Sequence, residues 1–130
     1  MGGKKKKKNV QETTTANEPI AVEEAVENNL RESLEEIKAY DGVIGYILRN
    51  STSAAIDLKD PTKIIDYAIL SSSALDASEI LSEDFDLGNV NNIIVEGKDV
   101  KMLSLKVDAN KVSVFMEKEV DCEKILKKIK

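Results

Sequence analysis

The stretch between Pro61 and Leu81 constrains the fold more than any other, because it is long, uninterrupted and apolar on more than one side. Asp60 offers an N-cap oxygen and Pro61 suits the first helical position, so the stretch predicts a helix that begins at Pro61. At roughly 100° per residue, its apolar side chains fall into two stripes. One stripe comprises Tyr67, Leu70, Ala74, Ala77 and Leu81, and the other comprises Ile65, Ile69 and Ile80.

Two apolar stripes on one helix predict that the helix is covered from two sides. A helix on the surface of a monomer needs a single stripe that faces the core. One interpretation is therefore that the chain's own sheet covers one stripe and a partner covers the other. Small residues on this helix permit the close approach of a second helix or sheet, and they are Ser71, Ser72, Ser73, Ala74, Ala77 and Ser78. The alternative is a central helix that a single chain buries completely, and periodicity alone leaves both interpretations open.

Helical and strand patterns alternate along the remainder of the chain. A first helix from Pro19 to about Tyr40 carries one apolar stripe and ends at Asp41-Gly42. A last helix follows Asp121 as its N-cap. The stripe of the first helix is Val22, Val26, Leu30, Leu34 and Ile37, and the short patch of the last is Ile125, Leu126 and Ile129. Five strands are predicted, at Val43–Arg49, Ala54–Leu58, Asn91–Glu96, Val100–Val107 and Val112–Met116.

This order of elements, α-β-β-α-β-β-β-α, predicts an α+β fold with a five-stranded antiparallel sheet and helices packed on its faces. Gly45 lies inside the apolar first strand and predicts a close backbone approach, for example from a helix that crosses the sheet. Gly97-Lys98 predicts a two-residue hairpin loop of type II′, with Gly at the first central position.

The first 18 residues lack apolar periodicity and predict a disordered tail, whereas residues 19–130 are long enough for one domain. A lysine run in this tail predicts either a solubilising segment or a weak contact with anionic membrane or nucleic acid. The run consists of Lys4, Lys5, Lys6, Lys7 and Lys8. The whole chain has a net charge of −5. Residues 1–16 hold five Lys and one Glu, a balance of +4, so the remainder carries −9. An acidic body argues against broad contact with phosphates.

The sequence predicts no catalytic residue, no metal site and no cofactor. It contains no histidine, no phosphate-binding G-x-x-x-x-G-K-[ST] loop and no dinucleotide-binding fingerprint. The single cysteine, Cys122, begins the last helix, where a helix dipole lowers a thiol pKa, but acidic neighbours oppose this effect and predict a packing residue. The lone cysteine and the lack of a run of about 18 apolar residues predict a soluble, cytoplasmic protein.

Four segments resemble the Roadblock/dynein light chain family. They read DGVIGYILRN, DPTKIIDYAILSSSALDAS, NNIIVEGKDVKMLSLKV and KVSVFMEK. The resemblance covers about Leu30 to Lys130 and rests on a middle helix rich in small residues and on a strand that ends in Glu-Gly. The long first helix and the lysine tail lie outside the family pattern.

The resemblance implies a dimer, either of two identical chains or with a related chain, in which third strands pair and middle helices lie side by side. The implied helix contacts are Ile65, Ile69, Ser72, Ser73, Asp76 and Ile80. The implied strand contacts are Asn91, Asn92, Ile93, Ile94, Val95 and Glu96.

Many members of the family are platforms or regulators for small Ras-like GTPases. We therefore expect a non-catalytic dimeric scaffold or regulator that binds such a GTPase and has no small-molecule substrate. The alternatives are a peripheral membrane or nucleic-acid adaptor that acts through the lysine run, and an adaptor of the motor or cargo light-chain type.

Overall fold

The computed structural model describes residues 18–88 and 91–129, and it describes side chains from residue 27 onward. The chain divides into two compact units, residues 1–32 and residues 33–130. The division lies inside the first helix, α1 (Glu18–Lys38). Leu30, Leu34 and Ile37 of its predicted stripe are buried, and the side chains of residues 22 and 26 lie outside the description. The predicted division at residues 18 and 19 stays a prediction.

The second unit contains a five-stranded antiparallel sheet, so the predicted α+β fold is confirmed. Its strands lie in the order β2-β1-β5-β4-β3, which places β2 and β3 at the two edges. Their bounds are β1 Val43–Arg49, β2 Ala54–Leu58, β3 Asn92–Glu96, β4 Val100–Val107 and β5 Asn110–Glu117.

The central helix begins with a capped turn, as the sequence predicts. The N–H of Thr62 donates to Oδ1 of Asp60 over 3.0 Å, and Pro61–Lys63 form a 3₁₀ turn. The α-helix proper, α2, runs from Ile64 to Asp84, one turn beyond the predicted end at Leu81. The last helix, α3 (Cys122–Ile129), follows Asp121, whose carboxylate accepts the N–H of Glu123 over 3.0 Å.

Helix α2 packs on one face of the sheet. The core on this face includes the buried Ile47, Met102 and Phe115, of which Met102 and Phe115 lie directly opposite each other on β4 and β5. Ile93 and Val95 of the edge strand β3 pack against the same cluster. Because alternate residues of a strand point to opposite faces, Asn92, Ile94 and Glu96 belong to the other face.

The last turns of α1 and helix α3 lie on that other face. The hydroxyl of Tyr46 on β1 donates to the carboxylate of Glu35. The ammonium of Lys38 contacts Asp57 on β2 over 2.6 Å. The thiol Sγ of Cys122 lies 3.9 Å from Sδ of Met116 on β5. The sheet is therefore a layer between helices, as the element order predicts.

Two predicted details of the glycines are wrong. A Cβ at Gly45 would lie 2.2 Å from the carbonyl oxygen of Asp57, so the close approach comes from the neighbouring strand β2 and not from a helix. At the β3–β4 hairpin, the N–H of Gly97 donates to the carbonyl of Val100 over 2.9 Å. The two loop residues are therefore Lys98 and Asp99, and Gly97 closes the ladder instead of starting the turn.

Candidate functional site

The side of α2 that faces the sheet carries small residues. Ser71, Ala74, Leu75 and Ser78 are the buried residues of the helix. The predicted first stripe is partly wrong, because Leu70, Ala77 and Leu81 of that stripe are exposed. The small side chains allow α2 to lie close to the strands, and the close approach takes place at Ser71, Ala74 and Ser78.

Three buried hydroxyls join α2 to the sheet. Oγ of Ser71 lies 2.5 Å from Oγ of Ser113 on β5, and Oγ of Ser113 lies 2.6 Å from Oγ of Ser104 on β4. All three side chains are buried, and a buried hydroxyl without a partner would destabilise the fold. We call Ser71, Ser113 and Ser104 the serine relay. Its hydrogen bonds hold α2 in place across β4 and β5.

The opposite side of α2 is apolar and exposed. Ile65, Ile69 and Ile80 have exposed fractions of 73%, 60% and 57%. At 3.6 residues per turn, Ile69 and Ile80 lie roughly 170° around the helix from the middle of the buried side. We call these three isoleucines, with the exposed Ser73 and Asp76, the outer face of α2. Within the described part of the chain, no element covers this face, so the second predicted stripe lacks the cover that it needs.

Strand β3 is an edge of the sheet, and only β4 pairs with it among the described strands. Ile94 on this strand is 48% exposed, whereas Ile93 and Val95 are half-buried. Asn91, which the sequence assigns to the strand, precedes it and is exposed. An edge strand with unpaired backbone groups and an exposed apolar side chain can pair with a strand of another chain.

A groove of about 460 Å³ lies between the second half of α2 and the start of β3. Its lining includes Leu75, Ile93 and the three residues from Ser104 to Lys106. The ammonium of Lys106 donates a hydrogen bond to the carboxylate of Glu79 on α2 over 2.7 Å, and this bond together with the positive charge lowers the pKa of Glu79. The groove is polar at its mouth and is contiguous with the edge strand.

Sequence reasoning missed a second set of exposed apolar residues at the end of α2. Leu81, Phe85 and Leu87 are exposed there. The hydroxyl of Ser82 donates to the carbonyl of Gly88 and folds this exit back on the helix end. In the sequence, the closely spaced apolar residues Leu81, Phe85 and Leu87 are the signal that indicates this surface.

The described residues form no cluster of side chains that is placed to hold a metal ion. Within residues 18–88 and 91–129, no three His, Cys, Asp or Glu side chains are placed to hold a metal ion. Burial raises the pKa of the Cys122 thiol, which disfavours the reactive thiolate. Arg49 donates through Nη2 to Oγ of Ser72 on α2 over 3.2 Å.

The predicted contact residues Lys4 to Lys8 lie outside the described residues. In the part of the chain that is described, none of the helices combines the length and the apolar character that a bilayer-spanning segment requires.

Comparison with solved structures identifies the fold. A Roadblock/LC7 domain from Streptomyces avermitilis matches with a TM-score of 0.62 and 14% identity, over 79% of this chain and 87% of that one. MglC from Myxococcus xanthus matches with a TM-score of 0.52 and 14% identity, over 78% and 90% of the two chains. The gliding protein MglB from Thermus thermophilus matches with a TM-score of 0.50 and 13% identity, over 80% and 82%.

No protein-family model and no curated protein matches the sequence. The resemblance noted in the sequence is therefore confirmed in the fold, and identity of 13–14% extends it no further than the fold.

Proposed function

Starting from the Roadblock fold of this chain, we propose that it is a non-catalytic scaffold or regulator that acts as a dimer. The observation that carries the proposal is the pair of uncovered surfaces on α2 and β3. Isoleucines occupy the outer face of α2, and the β3 edge carries a half-exposed Ile94. Covering both surfaces with a second chain would remove apolar area from water at roughly 25 cal/mol per Å².

Most of the predicted helix contacts are exposed in the single chain, as residues that a partner covers in a dimer would be. Ile65, Ile69, Ser73, Asp76 and Ile80 are exposed, and Ser72 is half-buried beside Arg49. The predicted strand contacts divide between the two faces of the sheet, with Ile93 and Val95 toward α2 and Ile94 away from it.

We further propose that the dimer binds a small Ras-like GTPase, as the resemblance to the Roadblock family implies. The only two arginines are Arg31 and Arg49, and Arg49 is already bonded to Ser72. An arginine finger supplied by this chain is therefore not part of the proposal. Any effect on hydrolysis would come from holding the switch segments of the GTPase in place.

The experiment combines the full-length protein with purified Ras-like GTPases from the same genome, loaded with GDP or with a non-hydrolysable GTP analogue. We expect co-elution with at least one of them and a stronger complex in one nucleotide state. Hydrolysis rates with and without the protein then show whether it regulates the GTPase or only anchors it. Failure to bind every GTPase in either state would overturn the GTPase partner, and sedimentation of the protein alone tests the dimer separately.

A further inference from the structure

The end of α2 presents three large apolar side chains close together. Leu81, Phe85 and Leu87 have exposed fractions of 46%, 68% and 61%. The N–H of Phe85 donates to the carbonyl of Leu81 over 3.1 Å, so these two residues lie one helical turn apart. The N–H of Leu87 donates to the carbonyl of Ser82 over 3.0 Å, which folds Leu87 back beside the last turn. Backbone hydrogen bonds therefore hold all three residues at one end of the helix.

Exposed carboxylates alternate with these apolar residues in the sequence. They belong to Glu83, Asp84 and Asp86. Among the described residues, none of the three forms an ion pair, because the ion pairs there join other residues. An apolar centre with a charged rim is typical of a protein–protein contact. We call this combination the exit surface of α2, and its members are Leu81, Glu83, Asp84, Phe85, Asp86 and Leu87.

The negative charge of the exit surface has no counterpart in the same part of the sequence. From Ile64 to Glu96 the chain contains seven Asp and Glu residues and no Lys or Arg. Lys106 reaches α2 from β4, but its ammonium is bonded to Glu79. The carboxylates of the exit surface therefore keep a negative potential that a cation from another molecule can neutralise.

Two of these carboxylates lie where a helix disfavours them. The last carbonyl groups of a helix carry partial negative charge, so Lys or Arg stabilises this end and Asp or Glu destabilises it. The last turn of α2 nevertheless contains Glu83 and Asp84 and no basic residue. Helix α3 follows the rule, with Lys127 and Lys128 in its last turn. A local arrangement that opposes stability is expected where a surface has another role.

From this combination we infer that the exit surface of α2 is a docking site for a basic amphipathic helix of a partner protein. Apolar side chains of the partner's helix would pack against Phe85 and its two leucine neighbours, and its Lys or Arg side chains would pair with the carboxylate rim. A helix fits because its apolar residues recur at the same one-turn spacing as Leu81 and Phe85. An exposed aromatic side chain is the type of anchor that dominates binding at interfaces, and complementary charge selects the partner.

Charge and composition disfavour two occupants from this chain. Two exit surfaces facing each other would bring two sets of carboxylates together, and like charges repel. The lysine run of residues 4–8 supplies positive charge but contains no apolar residue that could contact Phe85. Leu81 also lies roughly 100° around the helix from Ile80 of the outer face. The inference therefore concerns a separate surface and depends on neither the proposed dimer nor the proposed GTPase partner.

Three synthetic peptides test both parts of the proposed contact. The first is a helix with a leucine face and a lysine face, and the second has the same leucine face with glutamate in place of lysine. The third keeps the lysines and replaces the leucines with glutamine. Fluorescence anisotropy measures the binding of each peptide to the full-length protein. We expect the first to bind at least about tenfold more tightly than the other two, and its affinity to fall as salt is added.

A variant at the apolar centre locates the binding on the protein. Phe85→Ser should weaken binding of the first peptide at least about fivefold, because it removes the aromatic anchor. Ile56→Ser on β2 is the matched control, since Ile56 is 40% exposed at an edge of the sheet and should leave the affinity unchanged. Circular dichroism establishes that each variant is folded. If Phe85→Ser does not fold, Leu87→Ser tests the same centre.

A second pair of variants tests the carboxylate rim. Neutralising the rim should weaken binding of the first peptide at least about fivefold, whereas neutralising exposed carboxylates elsewhere should not. The rim variant combines Glu83→Gln, Asp84→Asn and Asp86→Asn. The control variant combines Asp99→Asn, Glu119→Gln and Glu123→Gln, which change exposed residues by the same total charge.

The remaining outcomes would overturn the inference in distinguishable ways. Equal binding of the lysine and glutamate helices would show that charge does not select the occupant. Equal losses in the rim and control variants would show general attraction to an acidic protein. A Phe85→Ser protein that sediments as a monomer, when the natural chain sediments as a dimer, would assign the exit surface to the contact between copies. That result would leave the proposed dimer standing.

Discussion

The ring of Tyr67 on α2 stacks on the ring of Phe115 on β5, with centroids 4.4 Å apart and planes inclined by 10°. Phe115 is completely buried, whereas Tyr67 is half-buried at the boundary between helix and sheet. The stack therefore holds the first half of α2 on the sheet, as the serine relay holds its middle.

Replacing both rings should reveal a coupling between them. We expect Tyr67→Leu and Phe115→Leu each to destabilise the protein, and the double variant to lose less than the sum by about 0.5–1.5 kcal/mol, because an aromatic pair adds that much beyond its buried area. Denaturant unfolding at one fixed protein concentration measures the four free energies of the cycle. Additive losses would contradict a specific contact between the rings.

The middle hydroxyl of the serine relay should matter more than either end. Ser113→Ala removes the partner of both Ser71 and Ser104, whereas Ser71→Ala removes only one contact. Because a buried hydroxyl without a partner costs about 1–3 kcal/mol, we expect the larger loss of unfolding free energy for Ser113→Ala. Replacing all three serines with alanine should cost less than the three single losses together. Equal losses for Ser71→Ala and Ser113→Ala would contradict the role of Ser113 as the shared partner of the other two hydroxyls.

Sequence patterns predict the strands well and the contact surface of α2 less well. The bounds of β1, β2 and β4 are as predicted, because turn residues delimit each apolar or alternating run. The predicted end of α2 at Leu81 is one turn too early. The sequence does not mark the true end, because no glycine or proline follows Leu81 until Gly88.

The side of α2 that meets the sheet could not be predicted from apolar periodicity. Ser71 is buried there because its hydroxyl bonds to Ser113, a residue 42 positions away in sequence. A single chain gives no indication of that pairing before the sheet order is known. By contrast, the isoleucines of the outer face of α2 are identifiable from spacing alone, because three large apolar residues recur on one side of a helix.

The ion pair at the mouth of the groove should make stability depend on pH. Lys106 lowers the pKa of Glu79 below its ordinary value of 4.5, so the folded state binds this proton less readily than the unfolded state. The contribution of the pair is therefore complete above pH 4.5 and is lost as the pH falls through the lowered pKa. We expect Glu79→Gln to be less stable than the natural protein at pH 7, with the difference vanishing at acidic pH. Both carboxylate and ammonium are solvent-exposed, so the effect should be small and should weaken with salt. A difference that persists at low pH would show that the glutamine acts through packing.

The lysine run should contribute little binding at near-physiological salt. Lysines near an anionic surface contribute about 1 kcal/mol each, which is marginal without a lipid anchor. We expect the full chain and a variant without residues 1–9 to bind anionic liposomes and single-stranded RNA equally weakly. Co-sedimentation measures the binding to liposomes, and fluorescence anisotropy measures the binding to RNA. Salt-resistant binding that disappears with the deletion would instead support the adaptor alternative.

A charge on the outer face of α2 should weaken the dimer without unfolding the chain. Ile69 is 60% exposed in the single chain, so Ile69→Asp should leave the folded protomer intact. In a dimer that covers this face, the aspartate would be buried without a partner charge. We expect the dissociation constant to rise by more than about tenfold, equivalent to about 1.4 kcal/mol. Analytical ultracentrifugation over a range of concentrations measures the constant. Ile56→Asp on β2 is the matched control, because it places the same charge at an exposed isoleucine of the opposite edge and should leave the constant unchanged. An equal effect of both substitutions would show that the charge acts through net repulsion and not through the outer face of α2.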